Sequence, residues 1–146
     1  MTAIAVIIVL ALTAIAAAHV AWGFGVSWPA ADRDGLFDLV IGATRRSSFP
    51  SLAECLAAAS AIFLAGLSAL IVADIVRLPV ASAWIAALGI LVAAVFAGRG
   101  VAPYTQAWRR RFGKEPFATM DRSCYGPFCL LLALAFALLV IKRVTI

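Results

Sequence analysis

Four times within 146 residues the chain writes about twenty residues in succession with almost no charge, long enough each time to cross roughly 30 Å of hydrocarbon as a helix. That recurrence leaves few folds open. A lipid interior offers no partner to a free N–H or C=O, so a spanning chain is either helical or a closed barrel. No alternation of apolar and polar residues points to strands. With 65% hydrophobic and 13% charged residues, the chain also lies far from the composition of a soluble domain. The expectation is an all-α membrane protein, a single four-helix transmembrane bundle over residues 1–146.

The expected spans are residues 2–22, 52–76, 80–98 and 125–141. "AIAAAH" in the first looks like a small-residue cleavage site. No Lys or Arg precedes it, however, and the apolar run is too long for the core of a secretory signal, so it is read as a retained span. The second opens at "PSLAEC", where Ser51 and Glu54 have the spacing of a capping box. Pro79 is expected to end it, because a proline pushes the preceding residue out of helical geometry. Two longer loops, 23–50 and 99–123, join the first span to the second and the third to the fourth. Each half of the chain therefore reads as helix, aromatic and glycine turn, long loop, helix, which suggests two parallel helical-hairpin repeats.

Lipid tails are as apolar as leucine, so packing in the membrane relies on close approach through small residues. Candidate rows are Thr13, Ala17 and Ala21 in the first span and Ala61, Ala65, Ala69 and Ala73 in the second. The third offers Gly89, Ala93 and Ala97, and the fourth Ala133 and Ala137.

Charge sets the expected orientation. Nine basic residues fall in or beside the two long loops: Arg33, Arg45, Arg46, Arg99, Arg109, Arg110, Arg111, Lys114 and Arg122. Three, Arg77, Lys142 and Arg143, fall at the other end. The long loops are expected in the cytoplasm and both termini outside. In "PYTQAWRRRFGKEPF", Tyr104, Trp108 and Phe112 are spaced four apart with arginines between them, a pattern that suits a segment lying in the headgroup layer, rings toward lipid and guanidinium groups toward phosphate. Trp22, Trp28 and Trp108 fit an aromatic belt.

Polar residues are lopsided by depth. His19 and Trp22 close the first span, Ser51 and Glu54 open the second, Arg99 ends the third, and Asp121, Cys124 and Tyr125 lead into the fourth, all at the loop end. At the other end Asp74 has Arg77 three residues on, the spacing of an ion pair within one helix. "HVAWGFG", "FAGRG" and "FATMDRSCYGPFCLLLAL" resemble a family of small bacterial four-span membrane proteins classed as a domain of unknown function. The resemblance extends over essentially the whole chain, its most specific part being Asp121 to Cys129. It implies the four-span architecture and a place in the bacterial inner membrane, draws attention to His19, Trp22, Arg99, Asp121, Tyr125, Pro127 and Cys129, and implies no reaction.

Each of these residues also has a plain structural account. Asp121 suits a helix cap, Arg99 can snorkel to phosphate, and Cys129 can pack as a small apolar residue. His19 is harder to dismiss, since an imidazole near the membrane boundary needs a partner. Asp121 is the expected one, which would fix the tautomer and leave one ring nitrogen free. The ligand-binding set read from sequence is then His19, Trp22, Arg99, Asp121 and Tyr125, turned inward around a polar pocket, with Ser51 and Glu54 as a structural cap.

Other chemistries find little support. Three cysteines form no Cys-x-x-Cys pair, and no metal site has a recognisable spacing. One histidine cannot supply two axial haem ligands, no nucleotide-binding glycine loop occurs, and no cofactor is expected. Nucleic acid is not an expected partner; the bilayer is. Three readings remain: a pocket for a small amphiphilic or anionic ligand, an accessory subunit docking a membrane-protein partner, and a small proton-coupled carrier. The carrier reading wants more deep charges than the spans contain. The charge bias makes one direct prediction. A reporter active only outside the cytoplasm, fused after Ile146, is expected to be active, and activity of a cytoplasm-only reporter there would invert the orientation.

Overall fold

The computed structural model describes residues 1–45 and 48–145, so Arg46, counted above among the loop charges, lies outside the described residues. The described chain is all-helical: α1 (Thr2–Gly23), α2 (Arg33–Val40), α3 (Leu52–Val72), α4 (Ser82–Val101), α5 (Gln106–Arg111), α6 (Phe117–Met120) and α7 (Gly126–Thr145). A 3-10 turn, Ala102–Tyr104, extends α4, and one π-turn, Asp121–Tyr125, joins α6 to α7 into a continuous helical stretch. Four stretches are long and apolar enough to cross a membrane: Thr2–Gly23, Leu52–Val72, Ser82–Tyr104 and Phe117–Thr145. The protein is a multi-pass membrane protein.

Several of these boundaries differ from the sequence reading; the third span, expected to end at residue 98, runs on to Tyr104, and the fourth, expected to end at 141, runs to Thr145. α3 stops at Val72, well before Pro79, because Asp74 adopts φ 61 and a Schellman closure forms. Asp74 N–H donates to the Ile71 carbonyl at 3.1 Å and Ile75 N–H to the Leu70 carbonyl at 2.9 Å. Arg143 from α7 reinforces that end, donating to the carbonyls of Ile71 at 3.1 Å and Val72 at 3.3 Å, where the helix dipole favours a cation. Asp74 pairs with Arg77 at 3.3 Å. The fourth span begins at Phe117 instead of residue 125. Its start is held by the Glu115 carboxylate, which accepts from Thr119 N–H at 3.0 Å, so Asp121 lies inside the helix and is not its cap.

Pro127 explains the π-turn. A proline there has no N–H to give, and in a regular helix its ring would strike the carbonyl of residue 123. The wider turn, closed by Gly126 N–H on the Asp121 carbonyl, absorbs the mismatch.

α1 lies along α3 and α4 along α7, giving two antiparallel hairpins, each closed by one long loop, with lesser contact between α3 and α4. The packed core sits toward the chain termini: Ala5, Ile8 and Leu12 of α1, Ala69 and Val72 of α3, Ile85 and Ala86 of α4, and Leu132, Phe136, Leu139 and Val140 of α7. The expected small-residue rows are only partly right. Ala69 is fully buried, but Thr13 and Ala17 are exposed, and α1 instead packs through Ala5, Ile8, Leu12 and Ala16. A helix that is apolar all round carries no periodic signal for its inner face.

At the loop end α4 crosses the π-turn closely. A Cβ on Gly126 would come within 2.9 Å of the Asp121 carbonyl and 3.1 Å of the Gly100 carbonyl, both backbone atoms that cannot swing away. Gly126→Ala is therefore expected to lower thermal stability in detergent by about 1–3 kcal/mol, the usual cost of overpacking. Gly98→Ala, on α4 two residues before Gly100 and with nothing within 4 Å of the new Cβ, should be neutral or slightly stabilising; equal behaviour of the two would contradict the close crossing.

Candidate functional site

Above the core the two hairpins diverge and leave a cavity of about 860 Å³. Leu12, Ile62, Phe96 and Leu132 form its floor, nearest the core. His19, Trp22, Glu54, Cys55 and Ala58 line it from the α1–α3 hairpin, and Arg99, Tyr125, Phe128 and Cys129 from the α4–α7 hairpin. Val40 and Ile41, at the end of α2, with Phe49 and Pro50 from the loop that follows, contribute from the first long loop. The loop reaches this position because α2 is started by Asp32, whose carboxylate accepts from Gly35 N–H at 2.7 Å, and because Lys114 pairs with Asp38 at 3.0 Å.

The capping residues form the reciprocal pair their spacing suggests. Ser51 N–H donates to Glu54 Oε2 at 2.8 Å and Glu54 N–H to Ser51 Oγ at 3.3 Å. Trp22 packs its ring against His19, centroids 4.9 Å apart, and donates its indole N–H to the Trp28 carbonyl at 2.8 Å.

His19 and Asp121 do not pair as expected. His19 Nδ1 donates to the Ile15 carbonyl one turn back at 2.9 Å. Both oxygens of Asp121 have other donors: Arg99 Nη2 reaches Oδ1 at 2.6 Å and Trp108 Nε1 reaches Oδ2 at 2.8 Å. Asp121 is thus the one buried carboxylate among the described residues, its side chain 2% exposed, and it stands behind Arg99 without itself lining the cavity. The reason is energetic: a carboxylate withdrawn from water needs a full charge and hydrogen bonds around it, and a neutral imidazole supplies less than a guanidinium with an indole N–H. The Gly100–Gly126 crossing brings the pair together, since Arg99 and Asp121 flank it.

Trp108 is the partner that sequence reasoning missed. The segment 104–117 folds back over the bundle end. Trp108 packs against Phe112 with ring centroids 4.4 Å apart and has the Arg99 guanidinium carbon 5.0 Å from its ring centroid. Tyr104 donates its hydroxyl to the Arg122 carbonyl at 2.8 Å, and Thr44 donates to the carbonyls of Arg110 and Arg111. Arg109, Arg110 and Arg111 remain exposed. Nothing in the spacing of Trp108 from Asp121 marks this contact, because it depends on how the loop folds.

Two polar groups at the cavity are not fully used. Arg99 Nη1 is buried and has no hydrogen-bond partner among the described residues. His19, with Nδ1–H committed to Ile15, keeps Nε2 as its acceptor in the neutral ring. Tyr125 makes one long hydrogen bond, 3.4 Å, to the Leu39 carbonyl. Cys55, Cys124 and Cys129 line the same cavity, yet no group of three or more His, Cys, Asp or Glu among the described residues is arranged to hold a metal ion.

The fold and the cavity define a polytopic four-helix membrane protein with a polar end wall between two hairpins. The profile of a family of proteins of unknown function (DUF3995) matches residues 12–136, and the chain belongs to that family. No curated protein and no solved structure matches it.

The buried pair predicts a clear hierarchy in chemical unfolding. Asp121→Ala, which leaves Arg99 without its counter-charge, should cost about 3–5 kcal/mol. Trp108→Phe should cost about 1.5–3 kcal/mol, the worth of a hydrogen bond to a charged group. In an Asp121→Asn background the Trp108→Phe effect should shrink markedly. Independent, additive losses would mean that the indole does not support the carboxylate.

Proposed function

We propose that the protein binds a small amphiphilic molecule in the cavity between its hairpins, with the apolar part against Leu12, Ile62, Phe96 and Leu132 and the polar part near His19, Trp22, Arg99 and Tyr125. Asp121 acts as a positioning residue through Arg99. The observation that carries this reading is the cavity itself. Its volume of about 860 Å³ falls within the roughly 300–1,000 Å³ of small-molecule sites, and apolar walls with a few convergent polar groups are the usual composition of such sites. A well-packed bundle has no reason to leave such a volume beside an unsatisfied guanidinium nitrogen.

The nine-to-three distribution of basic residues favours the cytoplasmic side of the bacterial inner membrane for this end. The test is chemical. Protein purified in a mild detergent is extracted with organic solvent, and the extract is compared by mass spectrometry with that of Ala58→Phe, which fills the cavity. An amphiphile present in near-stoichiometric amount with the parent and depleted in the variant is expected. Parent and variant extracts of the same composition would remove the binding reading, and recovery instead of a stoichiometric protein partner would favour an accessory subunit.

A further inference from the structure

Arg99 is the only permanently cationic residue that lines the cavity among the described residues. A lone arginine in an apolar wall ordinarily marks a site for an anion, because its charge has no other outlet. Here the outlet already exists. Asp121 sits 2.6 Å from Nη2 with its side chain 2% exposed, and Trp108 holds the second carboxylate oxygen. The guanidinium and carboxylate together are neutral, so a bound anion would face a compensated pair. Arg33, in the first loop, spends its Nη1 on the Trp22 carbonyl at 2.6 Å, and its guanidinium carbon lies 4.3 Å from the Phe49 ring centroid. What the described residues leave at the cavity is hydrogen-bonding capacity without uncompensated positive charge: an acceptor on His19 Nε2.

We infer that the ligand carries a neutral head group offering a hydroxyl to His19 Nε2, on an apolar tail. This rests on the cavity being a binding site and narrows its ligand from amphiphiles in general to uncharged, hydroxyl-bearing ones. Asp121 sets that preference, because it cancels the charge of Arg99. An ionised head would be desolvated on entry with no uncompensated charge to receive it, a loss that binding cannot recover.

Three probes with the same twelve-carbon tail separate the possibilities: 1-monolauroylglycerol, laurate and dodecyltrimethylammonium. Each is titrated, in alkaline buffer where laurate is ionised, into the full-length protein in phosphatidylcholine nanodiscs, with empty nanodiscs as the partition control. The monoglyceride is expected to bind at least about tenfold more tightly than either ion, and Ala58→Phe should abolish its binding. Asp121→Asn, which frees the charge of Arg99, should turn the preference toward laurate. Laurate binding the parent as tightly as the monoglyceride, in a manner lost in Ala58→Phe, would overturn the neutral-head inference and leave the cavity as a binding site. Binding of none of the probes above the empty-nanodisc control would overturn both. If Asp121→Asn does not fold, the probe ranking on the parent still decides the matter.

Discussion

The contact on which the loop end of this molecule depends is the crossing of α4 over the π-turn, where Gly100 and Gly126 bring two backbones together. Between helices in lipid there is no hydrophobic driving force to spare, and close backbone approach is what replaces it. The residues that flank the crossing, Arg99 and Asp121, are thereby held within hydrogen-bonding distance. The carboxylate then gathers Trp108, and Trp108 with Thr44 and Tyr104 draws the second long loop down over the bundle. One glycine pair sets the position of an ion pair, a loop and one wall of the cavity.

The π-turn belongs to the same arrangement. Pro127 prevents a regular helix through residues 121–127, and of the two residues that bound the widened turn, Tyr125 lines the cavity and Asp121 lies behind Arg99. A regular helix would rotate these side chains relative to α7. Such insertions are often found at functional sites, and here the turn coincides with the one buried carboxylate among the described residues. The two ends of the bundle contrast in consequence. Toward the termini, large aliphatic side chains and Phe136 interlock, and Arg143 closes the end of α3. Toward the loops, the hairpins part and polar groups face the space between them.

Polar groups without full partners are what make that space chemically specific. The pairing of Arg99 with Asp121 cancels the one permanent cationic charge of the cavity wall among the described residues. His19, set by its bond to Ile15, leaves an acceptor on Nε2.

The sequence by itself determined the helical class, the four spans and the start of α3 at Ser51 and Glu54, because span length and capping chemistry are local properties of the chain. It also placed the polar residues at one end, since depth follows from position along a helix. It did not determine which face of α1 packs inward, where Thr13 and Ala17 turned out exposed while Ile8 and Leu12 are buried; lipid-facing and protein-facing residues are equally apolar, so no periodicity betrays the choice. Nor did it determine that Asp121 would choose Arg99 and Trp108 over His19. That choice rests on a glycine crossing between helices and on the fold of a loop from another stretch of chain. Only the tertiary structure brings those groups together, and a buried carboxylate takes the strongest donors within its reach.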